Sequence, residues 1–322
     1  MNTIVILSFV ISFILGVIIC PIMIPKLRQM KFGQNIREEG PESHKKKSGT
    51  PTMGGIAIII AMVVGAVPFT GIDANILFVV LATLLFGVIG FVDDMLKIVK
   101  HQSEGLKPLQ KMGMQVLVTA GMIVYIALAT PAGTSMIVPF VGLVDFGGWF
   151  YPIAVLAILG TVNGANFTDG LDGLASCVTI VIAGFFTIAA FLMGSGITPA
   201  TLSMAGALAA FLCFNCYPAK VFMGDTGSLA LGGFAAAAAF ILKMPIFLIF
   251  AALIYLAEII SVILQVGYFK LTHGKRLFRM APLHHHFELG GWQETKVVTI
   301  FTIITIIGCI VALAGLGAAG VL

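Results

Sequence analysis

The sequence predicts an all-α fold that crosses a membrane many times, on three observations. Apolar runs of about 20 residues, each long enough for a hydrocarbon core of about 30 Å, follow one another with short interruptions. The chain is 59% hydrophobic and only 10% charged, with a mean hydropathy of +1.08, which excludes an ordinary water-soluble globule. Its basic residues also alternate between loops, as a multi-pass topology requires.

The first run, 3–22, has no basic segment before it and no small-residue cleavage site after it, so it reads as a retained span. Further spans are expected at 54–70, 76–92, 112–130, 150–162, 174–193, 199–214, 228–242, 245–269 and 297–318, which makes about ten. Residues 1–322 read as one integral-membrane domain. Placing 23–53 inside makes every second loop cytoplasmic and leaves both termini outside. Seven Lys/Arg then lie in 23–53, four in 93–111, four in 270–279, and one each at Lys220 and Lys296. Only Lys243 of the 18 falls outside, in line with the positive-inside rule. The formal charge of +4 thus reflects loop topology, and no nucleic-acid partner is expected. Cys213-x-x-Cys216 resembles a metal or redox pair, but without a second pair or a nearby His it reads as packing.

Five of the 14 acidic residues gather just past the ends of apolar runs: Asp93 and Asp94 in FVDDMLK, Asp169 and Asp172 in NGANFTDGLDG, and Asp225 in FMGDTGS. The predicted topology puts all of them on the cytoplasmic face. A carboxylate at a span centre costs about 2.5–3.5 kcal/mol, so acids held beside hydrocarbon point to function. Clustered hard oxygen ligands suit Mg²⁺, and Mg²⁺ at a membrane surface suggests phosphate chemistry. Adjacent acids at a helix C-terminus oppose its dipole, so Asp93-Asp94 reads as more than a solvated helix end paired with Lys97. The pair could share a metal's charge, or one acid could take a proton because the other raises its pKa. Asn163, Asn166, Asp169 and Asp172, spaced by glycines, could read a base or sugar. Asp225, with Thr226 and Ser228, opens the next span, as a cap or as part of a phosphate or Mg²⁺ site.

Two further patches are polar. His284-His285-His286 are poor joint zinc ligands, because consecutive side chains diverge; substrate contact or a solvated loop remains. The stretch from His44 to Thr52 is basic and then turn-rich, an anchor to anionic lipid or a source of one phosphate-binding lysine. Glu258 is the one mid-span carboxylate, lining a groove or pairing with a neighbouring helix. A transporter would carry more polar groups at mid-membrane.

Together, GTPTMGG (49–55), FVDDMLK (91–97), NGANFTDGLDGL (163–174), FMGDTGS (222–228) and PLHHHFELGGW (282–292) resemble the polyprenyl-phosphate N-acetylhexosamine 1-phosphate transferases, in their phospho-N-acetylmuramoyl-pentapeptide branch. The first and last segments are particular to that branch. The resemblance covers essentially the whole chain. It implies a multi-pass enzyme of the bacterial cytoplasmic membrane, with ten spans and the active site on the cytoplasmic face. It further implies transfer of phospho-MurNAc-pentapeptide from UDP-MurNAc-pentapeptide to undecaprenyl phosphate, giving lipid I and UMP in cell-wall synthesis. Mg²⁺ is the implied cofactor and a homodimer the implied assembly.

By matching motif position, Asp225 resembles the family's Mg²⁺ ligand, and Asp93 and Asp94 its catalytic pair, with Asp93 a second candidate ligand. Lys47, Thr52, Asn163, Asn166, Asp169, Asp172 and Asn215 resemble residues of the uridine side and its surroundings. Gln265, His284, His285 and His286 fall where the family meets nucleoside-type ligands, and Lys97 and Lys111 resemble lysines that attract phosphate. Two mechanisms are compatible with these residues: direct attack of the lipid phosphate on the β-phosphorus, the favoured one, or a covalent intermediate on an aspartate.

Overall fold

A computed structural model describes residues 3–30, 47, 49–67, 73–100, 102, 104–130 and 133–321. The helices are α1 (Thr3–Gln29), α2 (Gly55–Ala66), α3 (Ala74–Val99), α4 (Pro108–Ala129), α5 (Phe150–Thr168), α6 (Leu174–Leu192), α7 (Thr198–Asn215), α8 (Gly224–Ile241), α9 (Leu248–Ala251), α10 (Leu253–Leu271), α11 (Leu283–Glu288) and α12 (Glu294–Ala318). Among the described residues, nine are long and apolar enough to cross a membrane, all but α2, α9 and α11. The run expected at 54–70 forms the 12-residue α2, with 68–72 outside the described residues. The run expected at 245–269 is broken near Ala252 into α9 and α10.

The helical core is α8, where every residue from Thr226 to Phe240 is buried. Its sequence is apolar on all sides and rich in Ala and Gly, as a fully enclosed helix requires. Helices α2, α3 and α5 pack around it, while α1 and α7 lie together and α12 packs on α6. Small residues set these distances. A methyl at Gly90 of α3 would overlap the Asp225 carbonyl oxygen, and one at Gly232 of α8 would overlap Val162 of α5. Without glycine at these points the backbones could not approach closely enough to bring their polar ends together.

Large apolar side chains face outward instead. Leu77, Leu81, Leu85 and Val88 on α3, and Ile303, Ile306, Ile307 and Ile310 on α12, form exposed helical stripes. Stripes of this length and polarity match lipid tails.

Two features depart from the sequence expectation. A hairpin joins α4 to α5, with β1 (Ser135–Val138) antiparallel to β2 (Gly142–Asp145) in the register Ser135↔Asp145 to Val138↔Gly142. The run expected to end at 92 continues as α3 to Val99, so Asp93 and Asp94 lie within the helix rather than at its very end. Within this extension the Lys97 ammonium meets Asp93 at 2.6 Å across one turn, offsetting acids at a negative helix end.

Candidate active site

The ends of α3, α4, α5 and α8 converge on three carboxylates. Asp93 and Asp94 are both 3% exposed, although they are acids in a span of hydrocarbon length. Buried charge survives only when paired and hydrogen-bonded, and each partner here is identifiable. Asp93 Oδ1 accepts the Leu106 N–H at 2.8 Å, and its Oδ2 meets Lys97 Nζ at 2.6 Å. Asp94 points to the start of α8, accepting the N–H groups of Asp225 (3.2 Å) and Thr226 (2.9 Å) and the Thr226 hydroxyl (2.7 Å). Asp225 Oδ2 lies 2.8 Å from both Lys97 Nζ and Lys111 Nζ, while its Oδ1 accepts Asn166 Nδ2–H at 2.9 Å. Asn166 also donates to Ser228 Oγ at 2.8 Å.

Gly224 enters α8 at φ +69°, a left-handed turn; a methyl there would press on Asp94 Oδ2 and Thr52 Oγ1. Thr52 therefore lies directly beside the cluster. Asp169 caps the end of α5. Burial, and then the nearby carboxylates of Asp225, Asp94 and Asp172, push its pKa well above the usual carboxylate range.

One oxygen from each of Asp93, Asp94 and Asp225 lies within 4.8 Å of the others, a donor set that could hold a metal ion. The Lys97 ammonium sits among them, at 2.6 Å from Asp93, 2.8 Å from Asp225 and 3.8 Å from Asp94. A cation is thus already accommodated there, and hard oxygen donors suit Mg²⁺. Asp94 commits both its oxygens to the start of α8, while Asp93 and Asp225 share the Lys97 ammonium.

Comparisons with known proteins identify the family. Residues 76–243 match the model of Glycosyl transferase family 4, and residues 47–59 match Phospho-N-acetylmuramoyl-pentapeptide-transferase signature 1. Curated proteins named phospho-N-acetylmuramoyl-pentapeptide-transferase are similar over nearly the full length. One from Clostridium perfringens strain 13 is 48% identical over 315 residues, 97% of this chain and 98% of its own. Relatives from Clostridium novyi (49% over 313 residues, 96% of each chain) and Acetivibrio thermocellus (47% over 307 residues, 94% of this chain and 92% of its own) agree. The chain belongs to the phospho-N-acetylmuramoyl-pentapeptide-transferase family.

In this transferase, the candidate residues from the sequence fall into distinct groups. Asp93, Asp94, Lys97, Lys111, Asn166 and Asp225 form the cluster described above. Asn163 lies one turn deeper on α5 and donates to Gln115 Oε1 at 2.7 Å. Lys47 and Asp172 form a second centre, 2.7 Å apart, joined by Glu294. Burial opposes the Lys47 charge, but its bonds to Asp172 and Glu294 outweigh this and raise its pKa.

Other candidates are engaged in bracing loops. Asn215 accepts from Ser176 Oγ at 3.0 Å and donates to the Val221 carbonyl at 3.0 Å. Gln265 Oε1 accepts the N–H groups of Leu277 (3.2 Å) and Phe278 (2.8 Å). The three histidines lie on α11; against the expectation that consecutive side chains diverge, the His284 and His285 ring centroids are 4.1 Å apart. His284 Nδ1 meets buried Glu258 at 3.1 Å, His285 meets Glu288 at 2.8 Å, and His286 Nδ1 accepts the Arg279 N–H at 3.1 Å. Glu258 is thus a structural partner of a neighbouring segment, one of the two roles open to it from sequence. The basic stretch 44–46 and Ser48 lie outside the described residues.

Sequence reading missed Gln115, Leu106 and Glu294. The first two act through an amide at mid-helix and a backbone N–H, which no residue pattern reports. Glu294 had one signal, an acid in the first turn of a span.

Proposed function

We propose that this enzyme transfers phospho-MurNAc-pentapeptide from UDP-MurNAc-pentapeptide to undecaprenyl phosphate, giving lipid I and UMP at the cytoplasmic face of a bacterial inner membrane. One integral-membrane domain with both termini outside, and a homodimeric assembly, complete the reading. The observation that carries it is the convergence of Asp93, Asp94 and Asp225 with Lys97 and Lys111 at helix ends, in a chain of this family.

The charge balance indicates how such a site would work. Three carboxylates against two ammonium groups leave the cluster negative, which repels a pyrophosphate unless further positive charge comes with it. A Mg²⁺ ion held by Asp225 and Asp93 would supply that charge and neutralise the transferred phosphoryl group. Lys97 and Lys111 would release part of their hold on Asp225 and donate to phosphate oxygens. Asn166 fixes the orientation of Asp225, and Asp94 fixes its backbone.

In the reaction, an oxygen of the acceptor phosphate bonds to the β-phosphorus of the donor. The bond from that phosphorus to the bridging oxygen breaks, and UMP leaves with the oxygen. The acceptor phosphate is largely ionised at neutral pH, so Asp93 serves mainly in alignment and charge control. Asp225 accepts three hydrogen bonds or ion pairs and Asp94 accepts three hydrogen bonds beside its ion pair with Lys97, which makes them poor nucleophiles and favours direct attack over a covalent intermediate.

The decisive experiment measures UMP released by purified protein from UDP-MurNAc-pentapeptide, undecaprenyl phosphate and Mg²⁺, with UDP-GlcNAc in parallel. Mg²⁺-dependent release from the muramoyl donor alone is expected. Release only from UDP-GlcNAc would move the enzyme to a sister specificity, and none from either would overturn the reading.

A further inference from the structure

A second ionic network stands apart from the three-aspartate cluster. Lys47 precedes α2, Asp172 lies in the turn between α5 and α6, and Glu294 opens α12. Glu294 Oε1 accepts from Lys47 Nζ at 2.6 Å and from the Asp172 N–H at 2.5 Å. Lys47 Nζ also donates to Asp172 Oδ1 at 2.7 Å, and Asp172 Oδ2 accepts the Ala219 N–H at 2.9 Å. The side chains of Lys47, Asp172 and Glu294 are only 15%, 2% and 9% exposed, so this is not a surface ion pair worth about 0–1 kcal/mol. Glu294 also lines a groove of about 550 Å³ with Tyr217, Trp292 and Gln293.

One carboxylate oxygen therefore fixes both a lysine ammonium and the backbone of the turn that carries Asp169 and Asp172. A lysine on a four-carbon stem is otherwise free to rotate, and two carboxylates around it leave a net negative trio. Lys47 then offers a directed N–H, two of its three being committed, rather than a mobile positive charge. The Asp94–Thr226 contacts hold the side of the site at α8. The Glu294 network holds the side at α5 and α6.

We propose that Glu294 is a positioning residue for the soluble donor: it holds Lys47 and the Asp169–Asp172 turn in the arrangement that the nucleotide-linked substrate meets. This inference rests on the transferase reading above. Glu294→Ala frees both groups, while Glu294→Gln keeps an acceptor oxygen but removes the charge.

The test uses full-length protein in detergent. Michaelis constants are measured separately for UDP-MurNAc-pentapeptide and undecaprenyl phosphate, and acylation of Lys47 by an amine-reactive reagent is followed by peptide mass spectrometry. Glu294→Ala is expected to raise the donor KM roughly ten-fold with kcat and acceptor KM little changed. Lys47 acylation rises in the same variant, and Glu294→Gln falls between it and the wild type. Wild-type donor KM and Lys47 acylation in Glu294→Ala would overturn the proposal. So would matched losses in both KM values, kcat and melting temperature, which mark a strut for the fold. If wild-type protein releases no UMP, the transferase reading fails on its own. The acylation arm still decides whether Glu294 holds Lys47.

Discussion

Asp94 on α3 caps the helix that carries Asp225. Its two oxygens take the Asp225 N–H, the Thr226 N–H and the Thr226 hydroxyl at 2.7–3.2 Å. Such a carboxylate normally comes from the residue just before the helix, but Met223 at that position makes no side-chain cap, and α3 supplies one instead. Neighbours in sequence thus do different work. Asp94 fixes where Asp225 stands, and Asp93 carries the contacts to Lys97 and to Leu106.

That division separates two asparagine variants. Asp94→Asn replaces one acceptor oxygen with an NH₂ group that opposes the α8 donors. A lost cap costs about 1 kcal/mol, and an unpaired buried donor about 1–3 more. The expected outcome is a clearly lower melting temperature with turnover reduced by about 100-fold or more. Asp93→Asn keeps an oxygen for the Leu106 N–H and turns its NH₂ toward a partly exposed Lys97 that still holds Asp225, so comparable loss of turnover is expected with a smaller thermal change. Thermal scans of both purified proteins check this, and equal shifts would remove the distinction.

Lys97 occupies the position a divalent ion would share. Its ammonium contacts Asp93 and Asp225 at 2.6 and 2.8 Å, so it competes for the same oxygens. Lys97→Gln removes that competition and one charge that would meet phosphate. Tighter binding of Mn²⁺, read by electron paramagnetic resonance, is expected together with a large fall in turnover. Weaker Mn²⁺ binding would mean that Lys97 instead organises the carboxylates.

The multi-pass helical fold was legible because hydropathy is summed over many residues, so local errors cancel. The aspartates were legible because acids beside apolar runs are rare. What the sequence did not reveal was geometric. The helix that holds Asp93 and Asp94 runs on to Val99, past the end of the apolar run that marked it in the sequence. The hairpin at 135–145 was missed because its strands have only four residues each. Glu294 was missed because its partners, Lys47 and Asp172, are 247 and 122 residues away in sequence.

Gly90 controls the distance between the two acidic helices. A methyl there would overlap the Asp225 carbonyl carbon and oxygen, rigid backbone that cannot rotate away. Gly90→Ala must therefore push α3 from α8, and overpacking of this kind costs about 1–3 kcal/mol. Reduced melting temperature and turnover are expected together. Gly113→Ala, on a helix position with open space, is the control and should leave both unchanged. Normal activity in Gly90→Ala would show that the close approach is not needed.

Asp169 gives the site a pH signature. Burial and the neighbouring carboxylates raise its pKa well above the ordinary value, so the folded protein holds this proton more tightly than the unfolded chain. A raised carboxylic pKa contributes stability below the unfolded pKa of about 3.9, and that contribution is lost as pH rises through the folded value. Asp169→Asn is neutral throughout and lacks this loss. Melting curves in EDTA, which keeps divalent ions from changing the balance, should therefore diverge as pH increases. The two proteins are expected to differ least near pH 4, and the variant to melt relatively higher near pH 8. A wild-type advantage that grows toward pH 8 would show that the ionised Asp169 carboxylate is held by favourable partners, reversing the sign of its role.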